Sequence, residues 1–587
     1  MRRFFSGRFD GYSIQDFRGD LLSGIIVGVI AIPLGMAFAI ASGVKPEYGI
    51  YTTIIAGICI SLFGGSSFQI GGPTGAFIPV LLGIVMTYGY ENLLVAGFLA
   101  GVMLFLMGVC KLGSLIKYIP RPVTVGFTAG IAVIIFSGQI ANFLGLTGIQ
   151  KHEDFLSNMK EIFVHFDTLN YYSIATAALC LALLLLAPRY LPKIPGSLIG
   201  LIISSMAAAF LFPDKVATIG STFGPIPSTL PSLHLPDITW GNILYLLQPA
   251  FVIAMLGGIE SLLSAVVADG MSGRRHDSNR ELIGQGIANM AAPLFGGIPA
   301  TGAIARTATN IRSGARSPLS GVIHGVFVLV VLLLLAPYAS AIPLASMAPI
   351  LMVVAWNMSE RREFIRVLKT RTGDSLILLI TFLLTVLTNL TIAVEAGLLL
   401  AAILFVKRMS DILTVTKVLP NPANKHKKVQ ADIVKAGRDC PQISIYTVEG
   451  PLFFGAGQLL ESSIAGTIHH RPHTLILRMG KVQYIDTTGE AHLSRIVRTV
   501  QSRGGTILVS GIQAQPLEVL RRTGLYEGIG SGHFFGHTGD AINFALSRVD
   551  ANQCLGCRQY AFEECVRLSE PIDRPAAQGQ QLPAHYQ

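Results

Sequence analysis

The tripeptide Thr-Gly-Ala occurs twice in this chain, each time where a membrane helix would be expected to run unbroken. Thr74-Gly75-Ala76 follows Phe63-Gly64-Gly65 and Gly71-Gly72-Pro73. Thr301-Gly302-Ala303 follows Phe295-Gly296-Gly297 and Pro299. Each Gly/Pro cluster interrupts an apolar stretch and is followed by a short apolar run. Paired interruptions in corresponding halves of a sequence point to the binding site of a transporter. A short helix starting at such a break aims free N–H groups and the positive end of its dipole inward, which suits an anion. The alternative is a pair of glycine-rich loops outside the membrane, and the long apolar flanks argue against it.

Composition agrees with a membrane protein. Of 587 residues, 51% are hydrophobic and only 13% charged, against about a quarter charged in soluble domains. The charge deficit lies before residue 410. Eleven apolar runs, from 21–41 to 392–406, reach or approach the ~20 residues that a span requires. The two broken segments and a short one near 283–294 bring the expected total to about fourteen. The first run is long and lacks a small-residue cleavage pattern, so it reads as span 1, kinked at Pro33, and not as a signal peptide.

Positive charge sets the topology. With the N-terminus inside, the inner segments up to residue 371 hold nineteen Lys and Arg, among them Arg2, Arg3, Lys111, Arg189, Arg274 and Arg361. The outer loops hold four: Lys45, Lys151, Lys160 and Lys215. This excess places both termini on the cytoplasmic side of a cell membrane. The net charge of +10 is therefore a topology signal, and nucleic-acid binding is not expected.

The pattern changes after about residue 408. Residues 1–20 read as a cytoplasmic arm, 21–408 as a transmembrane domain and 409–439 as a linker with Pro420, Pro422 and a basic stretch Lys425–Lys428. Within 440–550, the strands Ile443–Val448, Thr474–Arg478 and Thr506–Ser510 alternate with the helices Leu459–Ile468, Leu493–Arg503 and Leu517–Thr523, as in a small α/β domain. There, Asp486-Thr487-Thr488 opens a helix. Capping is the first reading; a phosphorylation or partner site at Thr487 or Thr488 is the functional one. Residues 551–587 read as a disordered tail rich in Pro, Gln and Ala. Cys554, Cys557 and Cys565 in that tail have a metal or redox spacing, but three thiols fall short of a closed zinc site. Cys440 or a histidine could complete it; no metal or other cofactor is assigned. No nucleophile–base arrangement or Walker motif suggests an enzyme.

In combination, several motifs resemble the sulfate permease family of anion transporters. They are Ala31-Ile32-Pro33-Leu34-Gly35-Met36-Ala37-Phe38-Ala39, Gly72-Pro73-Thr74, Glu260-Ser261-Leu262-Leu263-Ser264, Asn279-Arg280-Glu281-Leu282-Ile283-Gly284-Gln285-Gly286 and Arg306-Thr307-Ala308-Thr309-Asn310. The C-terminal domain resembles a STAS domain. The resemblance covers about residues 10–550. It implies two inverted repeats of seven spans, a core domain of spans 1–4 and 8–11, a gate domain of spans 5–7 and 12–14, and a homodimer. The nucleobase transporters share that membrane fold but lack a STAS domain.

The resemblance also implies a site. The anion would lie between the two half-helices, bound by the N–H groups of Gly75, Ala76, Gly302 and Ala303. The two helix ends would supply on the order of 1–4 kcal/mol. Thr74 and Thr301 would cap or donate hydroxyls, Phe38 would place its ring over the anion, and Arg306 would add positive charge or pair with Glu260. Leu34 stands where many relatives carry glutamine. An ionised carboxylate at mid-membrane costs about 2.5–3.5 kcal/mol on insertion scales, and burial favours its neutral form. Glu260 is therefore the expected proton carrier. Sodium-coupled bicarbonate relatives tend to carry aspartate there; this chain has Glu260, Ser264 and the apolar Ile304, which favours proton over sodium symport. The expected activity is secondary active transport of a small anion by an elevator motion, with sulfate the family default. Bicarbonate, a dicarboxylate, or uncoupled chloride/bicarbonate exchange are alternatives within transport. A membrane sensor signalling to a cytoplasmic partner through the STAS domain is the alternative outside it.

Overall fold

The computed structural model describes residues 12–569 except 115–119, 153, 192–194, 234–239, 389, 421–428, 431–433, 435–438 and 470–472. The start of the N-terminal arm, the basic stretch Lys425–Lys428 and residues 570–587 of the expected tail lie outside the described residues. The chain divides into two compact units, residues 1–401 and 402–587.

Fourteen helices in the first unit correspond to the expected spans. They are α1 (Ile14–Ala41), α2 (Pro46–Phe63), α3 (Ile78–Tyr88), α4 (Tyr90–Val109), α5 (Arg121–Gly138), α6 (Tyr171–Tyr190) and α7 (Gly196–Leu211) in the first half. The second half holds α8 (Trp240–Ser272), α9 (Ser278–Leu294), α10 (Ile304–Arg312), α11 (Leu319–Ser340), α12 (Leu344–Met358), α13 (Gly373–Leu387) and α14 (Leu390–Asp411), the last running across the boundary between units. Among the described residues, seven helices are long and apolar enough to cross a membrane. The others are shorter or carry polar residues, as α9 and α10 do. The first helix runs through Pro33 as one continuous element.

Two groups of helices emerge from the packing. The members α1–α4 and α8–α11 pack mainly on one another, through α4 on α9, α1 on α11 and α2 on α9. A second group is built on α5 with α13, α6 with α7, and α12 with both α5 and α6. These are the expected core and gate. Without a hydrophobic drive between helices in lipid, small residues let backbones approach closely. At the α4–α9 contact, a Cβ on Gly286 would lie 2.5 Å from the Phe105 nitrogen and 2.7 Å from the Gly101 carbonyl oxygen.

Two carboxylates tie loops of one half of the sequence to helices of the other. Asp20 of α1 is fully buried and accepts from the N–H groups of Arg316 (2.6 Å) and Ser317 (3.1 Å) and from Tyr12 Oη (2.7 Å). Glu281 of α9, also fully buried, accepts from the N–H groups of Gly65 (2.7 Å) and Ser66 (3.0 Å). Each joins one half of the sequence to the other, and each satisfies turn donors that have no helical partner.

The second unit is a six-stranded sheet with helices. Its strands are β3 (Thr414–Pro420), β4 (Val429–Gln430), β5 (Ile443–Glu449), β6 (Thr474–Lys481), β7 (Thr506–Ser510) and β8 (Phe534–Phe535), in the order β4-β3-β5-β6-β7-β8. The run β5-β6-β7-β8 is parallel, with β3 antiparallel on β5. Crossover helices α15 (Gly457–His469), α16 (Thr487–Ser502) and α17 (Ala514–Arg522) connect the parallel strands. The expected strands and helices are present. Two assignments differ. The linker range contains β3, whose Val418 and Leu419 are buried. Residues 551–569 form no bare tail: they carry α19 (Ala551–Cys554) and α20 (Cys565–Ser569), following α18 (Thr538–Leu546), and bury Ala561 and Phe562 against Ile443 and Ile445.

Gly286→Leu is expected to overpack the α4–α9 contact and cost about 1–3 kcal/mol. Thermal unfolding of the detergent-solubilised protein reads this as a lowered midpoint; an unchanged midpoint would contradict the contact.

Candidate functional site

The chain is extended where the helices break, and the stretch just before the first Thr-Gly-Ala pairs with the second Thr-Gly-Ala. Strand β1 (Gly71–Gly72) runs antiparallel to β2 (Thr301–Gly302), with Gly71 opposite Gly302 and Gly72 opposite Thr301. The ribbon continues through the Ala303 N–H, which donates to the Ile70 carbonyl at 2.9 Å. Open backbone at membrane depth must find every partner within the protein. Here each half of the sequence supplies partners for the other.

Two asparagines fix the chain entering each break. Asn289 of α9 donates to the Ala300 carbonyl and accepts from the Ala300 N–H, both at 2.8 Å. Asn310 of α10 donates to the Phe68 carbonyl at 2.9 Å. Ser261 of α8 receives the Gly302 N–H at 3.0 Å and bonds Thr301 Oγ1 at 2.7 Å. Thr307 of α10 receives the Ile70 N–H at 3.1 Å.

At the first break, Thr74 occupies the cap position of a one-turn helix, Gly75–Phe77, that leads into α3. The N–H groups of Gly75 and Ala76 begin that turn and have no intrahelical partner. The ring of Phe38 lies beside them: a Cβ on Gly75 would stand 3.6 Å from Phe38 Cε1, 3.3 Å from Ile135 Cδ1 and 3.6 Å from Met358 Sδ. Phe38 belongs to α1, Ile135 to α5 and Met358 to α12, so core and gate side chains meet over this helix end. Phe38 is only 4% exposed.

At the second break the expected ligands are displaced. The N–H groups of Gly302 and Ala303 are used by Ser261 and Ile70, and the Thr301 hydroxyl donates to the Gly257 carbonyl at 3.0 Å. Thr301, Gly302 and Ala303 therefore build the ribbon, with their donors already used within the protein. Ala303 is the cap residue of α10. The open N–H groups are those of the first helical turn, Ile304, Ala305 and Arg306, and Ile304 and Ala305 are exposed.

Glu260 of α8 joins the site to the first break. Its Oε2 accepts from Thr74 Oγ1 at 2.9 Å, so the carboxylate holds the residue that opens the half-helix. Arg306 does not pair with Glu260 within ion-pair distance among the described residues. It is 3% exposed, and its Nη2 donates to the Pro73 carbonyl. Gly72 makes room for it: a Cβ there would lie 2.6 Å from Arg306 Nη1, and its φ of +150° is one that side chains rarely adopt. Ser264, one turn beyond Glu260, is fully buried and donates to Thr307 Oγ1 at 3.3 Å. The arrangement gathers two helix N-termini, one arginine charge, one carboxyl group and one aromatic ring. That set places hydrogen-bond donors and positive charge beside a carboxyl group.

These features match known proteins along nearly the whole chain. The sulfate permease family model fits residues 17–381, and the STAS domain model fits residues 437–541. The chain belongs to the sulfate permease family. Its relatives include YvdB of Bacillus subtilis, named as a candidate sulfate transporter, 58% identical over 91% of this chain and 98% of that protein. The bicarbonate transporter BicA of Picosynechococcus is 28% identical over 96% of this chain and 98% of its own length. Among solved structures, SLC26A9 matches with a TM-score of 0.82 over 94% of this chain and 93% of that one, at 20% identity, which shows the common fold. The transmembrane domain of BicA matches with a TM-score of 0.58 over 66% of this chain and 98% of that one, at 30% identity. Anion transport is thus the activity class of this family member.

In the STAS domain, Asp486 caps α16, accepting from the Gly489 N–H at 2.7 Å, and also receives the Phe454 N–H at 3.1 Å. Thr487 and Thr488 are exposed in its first turn. Among the described residues no group of three or more His, Cys, Asp or Glu stands at metal-binding spacing, Cys554, Cys557 and Cys565 included.

Gly72→Ala is expected to strain the first break by about 1–3 kcal/mol and reduce anion uptake about tenfold or more at unchanged expression. Reconstituted uptake measures it; wild-type rates would remove Gly72 from the site.

Proposed function

We propose that this permease is a secondary active transporter of a small oxyanion, coupled to protons through Glu260. The hydrogen bond from Thr74 to the Glu260 carboxylate supports this reading most directly. When ionised, the carboxylate accepts from Thr74 and repels an incoming anion. Protonation removes that negative charge from the helix ends where the anion would bind. Proton and anion would therefore enter together, and neither would cross readily alone.

The anion would be held by the N–H groups of Gly75 and Ala76 on one side and of Ile304 and Ala305 on the other, with Phe38 covering it. Arg306 would act through its field and by holding the Pro73 carbonyl. Transport would follow an elevator motion in which α1–α4 and α8–α11 slide past the gate, changing which side of the membrane the helix ends face. Sulfate is the first substrate to test, given the resemblance to YvdB. Bicarbonate is the second, given BicA, and a dicarboxylate such as fumarate the third. The excess of inner Lys and Arg supports cytoplasmic termini in a cell membrane, and the family resemblance supports a homodimer.

The test is uptake into proteoliposomes of radiolabelled sulfate, bicarbonate and fumarate, with and without an inward proton gradient. One anion should enter several-fold faster with the gradient. Glu260→Gln should abolish the stimulation while leaving the anion able to protect the protein against heat. Stimulation that persists in the variant would refute coupling through Glu260. Equal uptake without a gradient would indicate an exchanger, and no uptake of any anion would favour a sensor.

A further inference from the structure

The four cysteines of the second unit line one small cavity. Cys440 precedes β5, Cys554 ends α19, Cys557 follows it by a tight turn and Cys565 opens α20. Cys440 is far in sequence from the other three, and the fold brings it to them. The cavity has about 20 Å³ of space, enough for one water-sized or ion-sized occupant.

The two chain segments that carry the thiols are bonded to each other. Gln442 donates to the Asp550 carbonyl at 3.1 Å and accepts from the Asp550 N–H at 2.9 Å, and the Asp439 N–H donates to Gln559 Oε1 at 2.9 Å. The Cys554-x-x-Cys557 turn is closed by the Cys557 N–H on the Cys554 carbonyl at 3.1 Å, with Gly556 at φ +73°. N–H groups also point at sulfur: Gln442 Nε2 at Cys554 Sγ and the Phe562 N–H at Cys565 Sγ, both at 3.4 Å. Donors of this kind favour the thiolate form.

The cavity lacks a positive charge to match. No Lys or Arg lines it. A bound cation would supply that charge, since a coordinating thiol is deprotonated outright.

We propose that Cys440, Cys554, Cys557 and Cys565 form a closed four-thiolate site for a soft divalent cation of the zinc class. Four sulfurs are the number that a structural tetrahedral site requires. No three of them stand at ligating spacing as drawn, so binding draws the 551–569 segment toward Cys440 until sulfur–metal distances reach about 2.3 Å. Binding forms four metal–sulfur bonds and releases four thiol protons to solvent. The site would fasten this segment onto the sheet.

The test uses the full-length protein, purified reduced and without chelator. Zinc should be present at close to one ion per chain. Replacement by Co²⁺ should give the charge-transfer and ligand-field bands of tetrahedral cobalt–thiolate. Cys440→Ser and Cys557→Ser should each lower zinc occupancy about tenfold or more at micromolar zinc, whereas Cys110→Ser, in the other unit, should leave it unchanged. Reduced wild-type protein that takes up neither zinc nor cobalt would overturn the proposal, whether or not the variants fold. So would a disulfide between Cys554 and Cys557 in protein purified under reducing conditions, or full occupancy in Cys440→Ser.

Discussion

The structure of the membrane unit depends on the short antiparallel ribbon between Gly71–Gly72 and Thr301–Gly302. A helix that breaks in the bilayer exposes N–H and C=O groups at several kcal/mol each unless the protein satisfies them. Two breaks placed back to back satisfy one another. The remaining groups go to Asn289, Asn310, Ser261 and Thr307. Asn289 and Ser261 serve the break of their own half, but Asn310 and Thr307 serve the break of the other half, and the ribbon joins the two, so neither half-helix is positioned without the other. The inverted repeat is thus a requirement of hydrogen-bond satisfaction as well as a symmetry.

That scaffold leaves a few backbone donors open. Once the ribbon has used the N–H groups of Gly302 and Ala303, only the first turns of two helices are left open, and both carry positive partial charge. The acidic and basic side chains nearby have different duties. Arg306 donates through Nη2 to the Pro73 carbonyl and holds the break in shape, while its buried Nη1 has no hydrogen-bond partner among the described residues. Glu260 is bonded to Thr74 alone among its hydrogen-bonding neighbours in the described residues. Its charge state therefore acts on the helix end directly. Phe38 of the core and Ile135 and Met358 of the gate close over that end.

Much of this was legible in the sequence, for identifiable reasons. Gly/Pro clusters inside apolar runs mark backbone breaks, and the repeated Thr-Gly-Ala located both. A lone carboxylate in an apolar span is costly, which singled out Glu260. What could not be read was the pairing of the breaks. A two-residue strand has no periodicity, and the extension of Thr301-Gly302 moved the second helix start past Gly302. Nor could the duties of Asn289 and Ser261 be read, because their partners are backbone groups of the break itself. In the second unit, alternating strands and helices were evident. The prolines around residue 420 disguised β3 as linker, since Pro420 falls at a strand end where no ladder donor is needed. Polar composition likewise disguised the anchoring of residues 551–569 by two buried side chains, Ala561 and Phe562.

The central claim is that the anion is held by the ends of the two half-helices. The most direct measurement is a crystal structure of the protein with selenate, located by its anomalous scattering. The account predicts a single strong peak within hydrogen-bonding distance of the Gly75 and Ala76 nitrogens and facing the first turn of the helix that begins at Ile304, beneath the Phe38 ring. A peak bound instead to Arg306 away from both helix ends, or none between them at a concentration that saturates transport, would contradict it.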